Sequence, residues 1–507
     1  MRFLGLRPTP LFDTLTEVRA MQRCASRRFC AGPATHPAGM FRATRRAVPV
    51  LRSRSRAGCA ATARATVDEN AVPTPTRGPH FDGRRSYADV PDGREGCARL
   101  VSDAAVADFQ ARISGELFLA PLTKGGNLPF RRLCVEEFGC AVTVSEMVFA
   151  RFALRRNPVE LARLRRHESE TLFGVQIATN QIAEGVNAGR LAADQGADFL
   201  DLNCGCPIHE TWKRGLGAAL LKKPAKLERL VRGIADGVPI PLTVKIRLGA
   251  GSSEAPATAL AEAVENAGAA AVVIHARTKE QRYTRAANWE AIRDIARERR
   301  IPVIGNGDIL TWYEHRNRAE LSGAHATMVG RGALVKPWIF REVREGREWA
   351  PSALERVGVY ARLCENFKDH FRADELGFRR YMEFMPWHFG FFCRYRPLPE
   401  SAYGAMAAEH PLLQTRLGIV ESESLVKEAE LSRLERILRS ESEEAHAALS
   451  AALWDADGDV ARAAELCEAV GAGGALERWE AEEAARRMGS RDGGGAATMG
   501  GGDTVRG

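Results

Sequence analysis

Between residues 116 and 332, short apolar runs alternate with longer stretches in which apolar residues recur every three or four positions. The runs are "ELFLAP" (116–121), "AVTVSEM" (141–147), "TLFGVQI" (171–177), "DFLDLNC" (198–204), "PLTVKIRL" (241–248), "AAVVIHART" (270–278), "PVIGNGDI" (302–309) and "ATMVGRG" (326–332). Their Val, Ile and Leu residues are consecutive rather than alternate, as in strands covered on both faces. Amphipathic patterns such as "AKLERLVRGIADG" separate them, giving a strand–helix–strand rhythm. Eight such units predict an α/β fold closed into one (β/α)8 TIM barrel over 116–345. A doubly wound open sheet is the competitor, but the G-x-G-x-x-G turn of a dinucleotide fold does not follow the first run.

After residue 345 the pattern turns helical, in "SALERVGVYARLCENFKDHF" and "FRRYMEFMPWHFGFFCRY". A smaller C-terminal helical domain is expected over 346–440. Residues 441–507 are read as an Ala/Glu-rich extension and a Gly-rich tail with little to build a core from. Ahead of the barrel, 67–115 is polar and rich in Pro, Gly and Arg, and is read as a linker.

Charge changes the picture at the N-terminus. Residues 1–66 hold thirteen Arg, no Lys, and only Asp13 and Glu17 as acids, a local +11 that leaves the rest of the chain at −3 of the total +8. An Arg-rich, acid-poor segment without an apolar run is the profile of an organellar transit peptide, for chloroplast or mitochondrion. A disordered basic arm on a cytoplasmic or nuclear protein is the alternative. Because the body is not basic overall, nucleic-acid binding has to come from local patches such as Arg131-Arg132, "RFALRR" (151–156), "RLRRH" (163–167), Lys213-Arg214, Lys222-Lys223 and "RTKEQRYTR" (277–285).

The chain has 11 Cys and 11 His, with no C-x-x-C pair and no H-x-x-x-H, so neither a metal site nor a disulfide framework is expected. No apolar stretch has the length of a membrane span. A monomer is expected.

In a barrel the chemistry collects where strands end, at the C-terminal face. The residues there are polar: Pro121-Leu122-Thr123, Glu146-Met147, Gln176, Asn203 to Cys206, Lys245 and Arg247, His275 and Arg277, Asn306-Gly307-Asp308, and Gly330-Arg331-Gly332. The seventh and eighth ends are Gly-bearing turns that suit a phosphate, with Arg331 adding a fork of donors. A lysine on a buried strand calls for an anionic neighbour, and the edge of a reduced flavin ring would serve. Gln176 can both donate and accept along such an edge. A hydrogen-bonded barrel interior is the plainer reading of both.

The motifs "APLTKGGNLPFRRLC", "DLNCGCP", "KIRLG", "HARTKEQRYTR", "GNGDI" and "VGRGAL" resemble, in order and spacing, the tRNA-dihydrouridine synthase family. The "LTKGGNLPFRR", "NCGCPI" and "FFCRY" runs are most similar to its eukaryotic tRNA-dihydrouridine(47) synthase branch. The resemblance implies FMN in the barrel, NADPH as electron donor, and reduction of a tRNA uridine, at position 47 if the branch is right. It puts Pro121, Leu122, Thr123, Gln176, Lys245, His275, Asn306, Gly307, Asp308, Gly330 and Arg331 on FMN, Asn203 on the uracil, and Cys206 as the acid that protonates C5. A thiol suits that step, since it is ordinarily protonated at neutral pH yet able to transfer. The resemblance also assigns RNA binding to the helical domain, with other RNAs as possible partners. Cys204, two residues earlier, is read as a packing cysteine. Two alternatives stay open: a small-molecule FMN oxidoreductase of the dihydroorotate or dihydropyrimidine dehydrogenase type, and a non-catalytic RNA-binding barrel.

Overall fold

The computed structural model describes residues 99–251, 256–414 and 431–492. The Arg-rich segment 1–66, most of the expected linker and the Gly-rich tail lie outside the described residues.

Each predicted run contains a strand: β1 Leu117–Leu119, β2 Val142–Val144, β3 Leu172–Ala178, β4 Phe199–Asn203, β5 Leu242–Arg247, β6 Ala271–His275, β7 Val303–Asn306 and β8 Ala326–Val329. Each pairs in parallel with the next, and β8 pairs with β1, so the sheet closes on itself as the expected eight-stranded barrel. A two-residue strand, Val148–Phe149, adds to the far end of β3.

Closure explains the lack of alternation. Outward residues such as Phe173, Val175, Leu200, Leu202, Val244, Ile246 and Ile274 pack under the surrounding helices. Inward residues Phe118, Val142, Leu172, Phe199, Ala271, Ile304 and Ala326 fill the lower half of the barrel. Gly174 leaves room for that packing, because a Cβ there would lie 2.2 Å from the Phe199 ring. Toward the C-terminal ends the inward positions become polar, and this gradient places the site.

The expected linker holds a structural element. Helix Asp103–Arg112, capped by Ser102, puts Phe109 and the following Ile113 into the interior cluster and closes the N-terminal mouth. Gln110 Nε2 donates to Ala270 O (2.9 Å) and Arg112 Nη2 to Thr171 O (3.1 Å).

The helical region also runs further than expected. Helices Ala353–Phe371, Glu375–Tyr381, Met385–Phe392, Glu400–Glu409 and Arg433–Leu438 are followed by Glu443–Asp455, Val460–Val470 and Ala475–Asp492. The expected break at 440 does not separate them. Leu449, Leu453, Cys467 and Leu476 join the same core, Tyr381 Oη donates to Ser450 O (2.8 Å), and Trp454 packs on Tyr381 at 5.0 Å between ring centroids. An Ala/Glu-rich sequence reads as solvated, but a helix needs only one apolar stripe to dock.

The barrel and these helices meet at His388, which stacks 4.9 Å from the Phe130 ring and is fully buried, with no hydrogen-bond partner on either ring nitrogen. Burial lowers its pKa to about 3, and burial likewise lowers His315 and His370 to about 4. The unfolded chain therefore takes up protons that the fold refuses. Stability from His388 is complete above about pH 6.5 and is lost as pH falls toward 3. In His388→Phe the slope of unfolding free energy between pH 6 and 4 should be shallower by up to about 1.4 kcal/mol per pH unit, one proton's worth, measured by urea denaturation.

Candidate active site

The inward residues at the strand ends line one cavity of about 180 Å³ at the barrel's C-terminal mouth. The structure brings every predicted site residue to it: Pro121, Leu122, Thr123, Gln176, Asn203, Cys206, Lys245, His275, Asn306, Gly307, Asp308, Gly330 and Arg331. Convergence follows from register. Asn203 pairs with Lys245, Arg247 with His275, and His275 with Asn306, so side chains far apart in sequence occupy the same level of the barrel.

Most of them are held by their neighbours. Lys245 Nζ donates to Asn306 Oδ1 (2.9 Å), while Asn306 Nδ2 donates to Met328 O (2.8 Å). Gln176 is tied to Asp201 and to Asn203 rather than left free for a ring edge. Asp308 is fully buried, and its carboxylate accepts from Arg277, from Arg331 Nη2 (3.1 Å), from Ala287 N (2.9 Å) and from Gln414 Nε2 (3.3 Å). Its part in the site is thus to hold two arginines. Gly307, at φ +145°, and Asp308, at φ +51°, form the turn that allows this, and Trp289 Nε1 fastens it by donating to Gly307 O (3.0 Å). Gly332 permits the next turn, since a Cβ there would lie 2.0 Å from Ile309 O.

The cavity wall is rich in positive charge. Lys245, Arg247, Arg277 and Arg331 line it, against the single carboxylate of Asp308. Burial pushes the Lys245 ammonium down, reinforced by Arg247 and partly offset by Asp201 beneath it. Burial pulls even Arg247 and Arg331 below the usual arginine range. His275 is driven well below its ordinary value by burial and then by Arg247, Lys245, Arg277 and Arg331, so it is neutral. Arg277 Nη1 lies 3.2 Å from His275 Nε2; guanidinium can only donate, so Nε2 accepts and Nδ1 carries the proton. Desolvated cations with too few carboxylates call for an anionic ligand. Together with Gly-bearing turns after β7 and β8, the residues fit a phosphate-bearing group with an electron-rich ring over Lys245.

Cys206 sits on the loop after β4. Its N–H donates to Asn203 Oδ1 (3.0 Å), and its carbonyl accepts from Ala218 N (3.1 Å). Gly217, at φ +61°, packs so closely that a Cβ would lie 2.7 Å from Cys206 O. Cys204 instead points outward into the helix-packed core, as a packing cysteine would.

The basic clusters divide. Arg131 is buried and pairs with Glu170 (2.7 Å), Arg166 with Asp198 (3.3 Å) and Arg163 with Glu160 (3.1 Å), so these arginines brace the fold. Others face the rim. Arg331 lies 4.0 Å over the ring of Tyr283, which is 45% exposed, and Lys279 lies 3.8 Å over Trp212. Sequence reasoning placed Arg247 and Arg277 at strand ends but assigned neither to the ligand, although Arg247 lies two positions along β5 from Lys245 and Arg277 two positions beyond His275, the last residue of β6. Leu413 and Gln414, which reach the mouth from beyond the helical region's fourth helix, carry no local signal at all.

A closed parallel barrel with a thiol, a half-buried lysine and a cationic wall at its C-terminal mouth defines a class, the (β/α)8 barrels whose polar site lies at that face. Within it, the sequence profile of dihydrouridine synthase (Dus) matches residues 118–392, just over half of the chain, and the chain belongs to that family. A rat protein named as tRNA-dihydrouridine(47) synthase-like, NAD(P)(+), is 40% identical over 62% of this chain and 50% of its own length. Its human counterpart is 39% identical over 56% and 44%, and a Coprinopsis cinerea tRNA-dihydrouridine(47) synthase is 38% identical over 56% and 44%. The chain thus spans about half the length of the curated relatives it matches.

Proposed function

We propose that this protein uses FMN, reduced by NADPH, to convert a uridine of tRNA to 5,6-dihydrouridine. The observation that carries this is the convergence of Cys206, Lys245 and His275 on one cation-lined cavity of a dihydrouridine synthase barrel. When bound, FMN supplies hydride to C6 of the pyrimidine. The protein does the rest. Arg331 and the glycine turns after β7 and β8 hold the phosphate, while Lys245 and neutral His275 donate along the ring. Cys206, on the loop facing them, gives its thiol proton to C5, so that one hydride and one proton add across C5=C6. A uridine in folded tRNA has to turn outward to reach the mouth, and the exposed Tyr283 and the rim cations Lys279 and Arg331 are placed to meet it. The likeness to the (47) branch points to position 47.

The purified protein should be yellow, and its visible absorption should bleach anaerobically with NADPH. Unmodified tRNA incubated with the reduced protein should gain two hydrogens at a uridine by mass spectrometry. A protein that never takes up FMN, or leaves tRNA mass unchanged while bleaching, overturns the reading.

A further inference from the structure

Beneath the cavity a chain of hydrogen bonds runs from the barrel floor to the cysteine loop, and every donor in it points the same way. Gly205 N (3.2 Å) and Cys206 N (3.0 Å) donate to Asn203 Oδ1. Asn203 Nδ2 donates to Gln176 Oε1 (2.8 Å), and Gln176 Nε2 donates to Asp201 Oδ2 (2.7 Å). The other Asp201 oxygen accepts from Thr243 Oγ1 (2.7 Å). All three side chains, Gln176, Asp201 and Asn203, are buried.

Two carboxamides in series could face either way. What removes the ambiguity is that the chain's ends cannot turn over: main-chain N–H groups can only donate, and an ionised carboxylate can only accept. From these ends the geometry points to Asp201 as a positioning residue, which sets the direction of both amides and thereby fixes the loop that presents Cys206. No part of the proposed chemistry uses Asp201 directly. It lies below the ligand-facing level, two residue pairs deeper than Asn203 and Lys245. Burial pushes its carboxyl upward, against the pull of Gln176, Thr243 and Lys245, so the arrangement is best examined near pH 8, where the carboxylate is ionised. A buried chain of this kind has strong internal dependence, because one reversed amide leaves like atoms facing each other at the next link.

The catalytic consequence rests on Cys206 being the proton donor; the geometric one does not. The test therefore reads the loop itself, as the rate at which iodoacetamide alkylates Cys206 in the full-length protein at pH 8, followed on the Cys206 peptide by mass spectrometry, without NADPH or tRNA. In Asp201→Ala the terminal acceptor is gone and the rate should rise about fivefold or more, the population change that one lost hydrogen bond produces. In Asp201→Asn the new carboxamide oxygen still accepts from Gln176 and its nitrogen can donate to Thr243, so the rate should stay within about twofold of wild type. Gln176→Glu sets two carboxylates together and should loosen the loop as Asp201→Ala does. Adding Asp201→Asn to Gln176→Glu moves the acceptor one place along the chain, satisfies every link again and should restore the slow rate. General destabilisation predicts the opposite, a double variant worse than either single one.

A double variant as reactive as Gln176→Glu, or an Asp201→Ala protein with wild-type reactivity, overturns the proposal. If Gln176→Glu is insoluble, soluble protein from the double variant supports it and an insoluble double variant overturns it. Wild-type protein that makes no dihydrouridine while this alkylation pattern holds would defeat the proposed function and leave the positioning role standing.

Discussion

Replacing Cys206 with alanine should lower dihydrouridine formation by about 10²- to 10⁴-fold, the range that one positioned acid contributes, while leaving the protein folded and yellow. The fold tolerates the change because Cys206 is only half-buried and lies outside the hydrophobic core, in contrast to fully buried Cys204. Its loop is held by main-chain contacts that alanine keeps, the N–H to Asn203 and the carbonyl to Ala218. The loss should fall on product formation and spare flavin bleaching by NADPH, since in the proposed reaction the flavin is reduced before the thiol is needed. Single-turnover assays on unmodified tRNA separate the two steps. Full activity in Cys206→Ala would remove the thiol from the mechanism.

The second large effect is on stability. Asp308→Ala should destabilise the protein by about 3–5 kcal/mol, as expected when one partner of a buried ion pair is removed and the other stays buried and charged. The Arg277 and Asp308 side chains are both fully buried, and Arg331 depends on the same carboxylate. The variant should unfold at lower urea concentration. It should also bind FMN more weakly, because Arg331 loses the anchor that sets its guanidinium against the ring of Tyr283. Asp308→Asn keeps one acceptor oxygen and should lie between. An unchanged urea midpoint in Asp308→Ala would show that the arginines find other partners at no cost.

Much of the site was legible because of how a closed parallel barrel projects sequence into space. Once eight apolar runs are recognised, the residue at each C-terminal end is assigned to the rim without knowing any distance, and all of those named there line the cavity except Glu146 and the outward-facing Cys204. The partners of those side chains were not legible. Asp308 and Gln176 line the cavity as expected of ligand contacts, but that Asp308 also secures Arg277 and Arg331, and that Gln176 links Asp201 to Asn203, could not be read. Such pairings depend on which side chains meet between elements 23 to 31 residues apart, and nothing local encodes them. Helix Asp103–Arg112 and the helices after 443 were missed for a related reason, since they dock through a few large apolar residues, Phe109, Ile113, Leu449 and Leu453, set among small and charged ones.

By itself the sequence determined the barrel, its eight strands, the rim residues and the placement of Cys206 at a strand end, because hydrophobic period and strand termini are local properties of the chain. Only the tertiary structure decided which charges neutralise one another, that Cys204 faces away from the site while Cys206 faces it, and that Leu413 and Gln414 return to the mouth. Those outcomes depend on closure of the sheet, and on contacts whose energy exists only once water has been excluded from between them.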